Sequence, residues 1–196
     1  MKLTAKHAIA VIILVLSLAA PVAAGPIQDA DAAYAKGDYA TVLQLMWPLA
    51  NQGYPGAQNF LGIMYERGRG VPQDYAEALR WYRRAADQGY AWAQYNLAGM
   101  YQAGNGVDMN YVEAVKWWRI AADQGNAAGQ FLLGVMYQRG MVVPQDVVRA
   151  HMWFNLAAAR GQKSAGESRD EVEQRMTTAQ IAEAQKLARE WRPTTH

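Results

Sequence analysis

The chain has 196 residues, 52% of them hydrophobic and 18% charged, with a formal net charge of +2. That is the composition of a folded domain with a sizeable core, and it excludes a disordered chain. There is no cysteine, so no disulfide framework is possible and stability has to come from packing.

The first segment, residues 1–24, reads MKLTAKHAIAVIILVLSLAAPVAA. Lys2 and Lys6 form a positive head, Ala8 to Ala20 an apolar run, and Val22-Ala23-Ala24 places small residues before Gly25. This is the three-part pattern of a secretory signal, predicting cleavage after Ala24 and export to a periplasmic or extracellular space. The alternative, an N-terminal anchor, needs a run of roughly 20 residues, longer than this one. No cysteine near the cut invites lipidation. The 19 Lys and Arg include Lys2 and Lys6, so 17 remain in the mature chain against 17 Asp and Glu. Bulk charge then draws the protein to neither nucleic acid nor anionic membrane.

Residues 25–53 read as a shortened opening repeat. Tyr34 to Gly37 keeps a Tyr-to-Gly step of three, and Leu45, Leu49 and Ala50 fall in register with Trp81, Ala85 and Ala86. Residues 54–161 then hold three full copies of a 36-residue unit. Gly53, Gly89, Gly125 and Gly161 are in phase, as are Tyr65, Tyr101 and Tyr137, and Trp81, Trp117 and Trp153. Each copy predicts two helices, over 55–67 and 74–88, 91–103 and 110–124, and 127–139 and 146–160. Gln58, Leu61 and Tyr65 form one core stripe on the first of these. Ala78, Trp81, Ala85, Leu79, Tyr82 and Ala86 cover a wide face of the second.

The loop Glu66-Arg67-Gly68-Arg69-Gly70-Val71-Pro72-Gln73-Asp74 poses a choice between a phosphate cradle and a turn. A cradle is one loop converging on one ligand. This loop recurs as 102–111 and 138–147, without the arginines in the second copy and with Val142 for the second glycine in the third. The turn reading explains what recurs: Gly68 as a left-handed helix cap, Val71 as an apolar plug, and Asp74, Asn110 and Asp146 as N-caps. Gly62, Ala98 and Gly134 mark a mid-helix position where smallness allows close helix approach.

The pattern AxxLGxxYxxGxGVxxDxxxAxxWxxxAAxxG, met in the first copy from Ala57 to Gly89, closely resembles the Sel-one-like repeat (SLR) family, relatives of tetratricopeptide repeats. Ala98 and Asn110 in the second copy and Val142 in the third are mild departures. The resemblance implies an all-α, right-handed α-solenoid of helix-turn-helix repeats that binds proteins or peptides. Residues 162–196 depart from the repeat. There RDEVEQRM is strongly polar and MTTAQIAEAQKLAREW predicts an amphipathic helix through Ile181, Leu187 and Trp191, suited to cap a stacked array.

No catalytic constellation, cofactor motif or metal-ligand spacing is present. His7 lies in the signal and His196 at the terminus. His151 stands alone on a helix, as packing or surface. Some cysteine-rich relatives are described as penicillin-binding or β-lactamase-like, so a hydrolase acting on cell-wall or β-lactam substrates is the alternative. Ser164 and Ser168 lack the Ser-x-x-Lys pattern that such chemistry needs. Asp74 with Glu77, and Asp146 with Arg149, read as caps and surface charges.

Trp81, Trp117 and Trp153 are expected in the core, and Trp92 and Trp118 in inter-repeat gaps, with Trp92 facing a groove that holds a ligand as the alternative. On the resemblance, the first helix of each repeat lines the concave side. Its face away from the core stripe carries Asn59, Ile63 and Glu66, then Tyr95, Gly99 and Gln102, then Phe131, Val135 and Gln138, with Trp92 one turn before Tyr95. These positions vary between copies. Asn59, Ile63, Glu66, Trp92, Tyr95, Gln102, Phe131, Val135 and Gln138 are therefore the expected partner-binding residues, suited to an extended peptide. The packing of Tyr95 and Phe131 against the next repeat is the alternative. Oligomeric state is left open.

Overall fold

The computed structural model describes residues 25–194, and the segment read as a signal lies outside them. Among the described residues all elements are α-helices: α1 (Pro26–Ala35), α2 (Tyr39–Asn51), α3 (Pro55–Arg67), α4 (Tyr75–Asp87), α5 (Ala91–Ala103), α6 (Tyr111–Asp123), α7 (Ala127–Arg139), α8 (Val147–Ala159), α9 (Ala165–Glu173) and α10 (Thr178–Glu190). From α1 to α9 each helix packs on its neighbours in sequence, while α10 packs on α8. This is the α-solenoid expected from the repeat, closed by a terminal helix.

The local signals act as their chemistry predicts. The side chains of Asp74, Asn110 and Asp146 accept the backbone N–H groups of Glu77, Glu113 and Arg149, and so start α4, α6 and α8. Gly68, Gly104 and Gly140 end α3, α5 and α7 in the left-handed conformation. In α10 the hydroxyl of Thr177 and the side chain of Gln180 form a reciprocal capping box. The polar stretch before it is also helical. α9 lays Ala165 and Val172 into the core and leaves its charges outside.

The second loop glycine has a separate reason. A Cβ on Gly106 would lie 2.5 Å from the Tyr75 carbonyl oxygen, and one on Gly70 would lie 2.9 Å from the Tyr39 Cβ. The loops of the first two full repeats thus press on the start of the preceding unit's second helix. Val142 keeps the positive φ, 63°, without being glycine. A β-branched residue there is strained by about 1–2 kcal/mol, and its side chain stays exposed.

Inside each repeat one aromatic ring enters a notch in the facing helix. Tyr82, Trp118 and Phe154 are among the largest fully buried side chains, and they too are 36 residues apart. Opposite Tyr82 and Phe154 sit Gly62 and Gly134, and the residue in phase with them, Ala98, is small and buried. A Cβ on Gly62 would meet the Tyr82 ring at 2.5 Å, and one on Gly134 the Phe154 ring at 2.5 Å. Trp118, expected to fill a gap between repeats, is buried in the core itself. Trp81, Trp117 and Trp153 are buried as expected. Trp47 stands edge-on to Trp81, and Trp191 edge-on to Trp153, so the ends of the array are stapled by aromatic pairs.

Polar links join one repeat to the next. Gln58, Gln94 and Gln130 are buried in the first turns of α3, α5 and α7. Their Nε2 groups donate to the carbonyls of Ala50, Ala86 and Ala122 near the ends of α2, α4 and α6. Gln88 and Gln124 in turn donate to the Oε1 atoms of Gln58 and Gln94. In the third copy the residue in phase is Arg160. It donates to the Leu156 carbonyl and stacks on Trp191, so Gln130 Oε1 is buried without a partner.

Three substitutions separate notch from surface. Gly134→Ala is expected to destabilise by about 1–3 kcal/mol, because overpacking against Phe154 outweighs the roughly 1 kcal/mol gain in helix propensity. Trp118→Ala is expected to cost about 3–5 kcal/mol, and the exposed Trp92→Ala no more than about 0.5 kcal/mol. Urea denaturation of each variant measures all three.

Candidate partner-binding surface

Free surface on a stacked helix is what remains after its own partner and both neighbouring repeats have taken their share. That subtraction divides the nine residues expected on the binding face. Asn59 is buried, and its Oδ1 accepts from Asn96 Nδ2 at 2.9 Å across α3 and α5. It is a link between repeats and is withdrawn from the binding face. Ile63, Tyr95, Phe131 and Val135 are half-buried against the core. Phe131 leans on Phe154 with ring centroids 5.6 Å apart, inside its own repeat rather than against the next. Burial raises the Tyr95 hydroxyl above its ordinary pKa. Glu66 is half-buried and its Oε2 accepts the Tyr82 hydroxyl at 2.5 Å, so it completes the notch of the first repeat. Gln138 is half-buried and its carbonyl receives the Gln145 amide.

Trp92 and Gln102 are exposed. Trp92, on the first turn of α5, keeps 52% of its surface open and stands edge-on to Tyr95, ring centroids 6.3 Å apart. Tyr54, immediately before α3, is open as well, at 55%. The Tyr90 hydroxyl lies close to Gly56, the second residue of α3. The starts of α3 and α5 therefore carry an aromatic group: Tyr54 and Trp92 open, Tyr90 and Tyr95 supporting. Tyr54 and Tyr90 were missed in the sequence, although they are in phase and each directly precedes a predicted helix.

His151 is more constrained than a lone helical histidine. It is 1% exposed, and its Nε2 lies 2.9 Å from Glu173 Oε2, tying α8 to α9. It lines a polar cavity of about 440 Å³ with Asn155, Arg169, Asp170 and Arg189. Ser164 and Ser168 are not in this lining. Among the described residues no group of three or more His, Asp or Glu residues gathers closely enough to hold a metal ion.

Comparison with known proteins agrees with this architecture. The Sel1 repeat family matches residues 55–90, 93–126 and 127–162. No curated protein matches the chain. Among solved structures, a Sel1 repeat protein from Oxalobacter formigenes is 34% identical with a TM-score of 0.67, over 72% of this chain and 57% of that one. A protective antigen present in uropathogenic Escherichia coli strains, displaying an SLR fold, is 26% identical with a TM-score of 0.58, over 78% of this chain and 40% of its own. The chain thus spans about half the length of these relatives. With three matched repeats, in-phase caps, notches and glutamines, the chain belongs to the Sel1 repeat family.

Proposed function

We propose that the chain is an exported repeat scaffold that binds a protein or peptide partner in the cell envelope, through the aromatic group at the starts of α3 and α5. The observation that carries this reading is Trp92. A tryptophan half open to water, braced by Tyr95, is the kind of rigid aromatic anchor around which protein interfaces concentrate their energy. The frame beneath it is fixed by stacking and buried links, so the anchor is pre-organised and little ordering is needed on binding. Export rests on the three-part pattern of residues 1–24. Among the described residues no helix is long and apolar enough to cross a membrane.

The alternative reading, a hydrolase, needs an activated nucleophile. Among the described residues His151 is bonded to Glu173 and to no serine, so the scaffold reading is preferred.

A photo-crosslinking amino acid at position 92 tests the surface in cells, with position 175 as an exposed control on another part of the molecule. The expected result is a specific protein adduct at 92 and none at 175, on protein whose N-terminus begins at Gly25. With that partner purified, Trp92→Ala is expected to weaken binding by about 2 kcal/mol and Gln102→Ala by less, with thermal melts close to wild type. Unchanged binding, or loss only in variants that have unfolded, would contradict the surface. An intact Met1 on envelope material would contradict export with cleavage.

A further inference from the structure

The first loop carries Arg67 and Arg69, where the second copy has Ala103 and Asn105 and the third Arg139 and Met141. The repeat frame forms without the pair, so it is not required for stacking. Both side chains nonetheless converge on one atom. Tyr34 Oη, on α1, accepts from Arg67 Nη1 at 2.8 Å and from Arg69 Nη1 at 2.5 Å. The Arg69 guanidinium also lies over the Tyr34 and Tyr39 rings, 5.0 and 5.5 Å from their centroids. Phe60 stands edge-on to Tyr34 and completes the floor.

Two guanidinium groups on one neutral oxygen hold like charges side by side at a Coulomb cost. Asp38 and Glu66, close by in sequence, bond elsewhere and pair with neither arginine. Asp38 accepts from both the backbone and the hydroxyl of Thr41, and Glu66 accepts the Tyr82 hydroxyl. Among the described residues neither arginine is in an ion pair. The Tyr34 hydroxyl, which accepts twice, donates to no protein acceptor among them. This is a convergent donor set, doubly positive and lacking an acceptor. The group that satisfies it is an oxyanion, which guanidinium forks match in both charge and shape.

We propose that Tyr34, Arg67 and Arg69 form an oxyanion site, and that its occupant is a side-chain carboxylate of an acidic segment in the partner protein. This rests on the scaffold reading above. A nucleic-acid phosphate fits less well, because apart from the predicted signal the cations equal the acids in number and a polyanion needs many phosphate contacts.

Fluorescence anisotropy of a labelled hexaglutamate peptide, titrated with the purified protein at low and at physiological salt, tests the site. Saturable binding that weakens with salt is expected. Arg69→Gln and Arg67→Gln should each lower affinity by about tenfold, the order of one charge-assisted hydrogen bond. Arg69→Lys, which keeps the charge but loses the fork, should also weaken it. Arg175→Gln removes the same bulk charge elsewhere and should bind as wild type. The Arg67 and Arg69 variants should stay folded, because the second repeat stacks with Ala103 and Asn105 in their place. Absence of saturable binding, or equal weakening by Arg175→Gln, would overturn the site. Displacement by equimolar inorganic phosphate would overturn the acidic segment as occupant. Failure of hexaglutamate with intact crosslinking at position 92 would overturn this site and leave the scaffold reading standing.

Discussion

The stack depends on what happens to the carbonyls at the ends of its second helices. A helix leaves its last C=O groups without intrahelical partners, and here those of Ala50, Ala86 and Ala122 accept the N–H groups of Gly53, Gly89 and Gly125. Gln58, Gln94 and Gln130 add a second bond to each carbonyl through a buried amide that reaches across to the next repeat. A buried polar group left unpaired costs about 1–3 kcal/mol, so a slipped or rotated repeat is penalised at every junction. Apolar packing supplies most of the attraction between repeats but tolerates small slides. The amide ladder has one geometry and so fixes the register. Gln88 and Gln124 extend the first two rungs to a third helix.

The register then determines which residues are left for function. With α3 and α5 joined through Asn59 and Asn96, and each notch filled by an aromatic ring, little of the first helices stays open. What remains lies at their ends. The starts of α3 and α5 offer Tyr54 and Trp92, while the far end of α3 and its loop offer Arg67 and Arg69. The ladder ends where the array ends. Arg160 replaces the glutamine of the earlier copies and turns to Trp191, exchanging a rung for a contact to the terminal segment. The unpaired Gln130 Oε1 is the cost of that exchange.

The fold was readable in the sequence because its period is printed many times over: in glycines, tyrosines, tryptophans and the Asp/Asn caps. Two parts of the same period went unread. Tyr82, Trp118 and Phe154 are in phase, but their ring types differ, so Trp118 looked irregular beside Trp117. Gln94 and Gln130 repeat Gln58 in phase, yet buried amides resemble surface residues by type. The binding face was only partly readable. Helical spacing places Asn59, Ile63 and Glu66 on one side of a helix, but spacing does not say that Asn96 and Tyr82 reach across to claim two of them. Tyr34 with Arg67 and Arg69 could not be seen at all. It joins α1 to a loop on the next unit, across an opening repeat that is out of step with the 36-residue period.

Native-state hydrogen exchange on Gln94→Leu tests the ladder most directly, because this glutamine links α4, α5 and α6 through both ends of one amide. Protection measured this way reports which segments open together. If the ladder sets the register, amides in α4 and α6 lose protection along with α5, each by about tenfold or more, as expected for about 1–3 kcal/mol. Loss confined to α5, or protection equal to wild type throughout, would show that apolar packing alone holds the stack and would contradict the account.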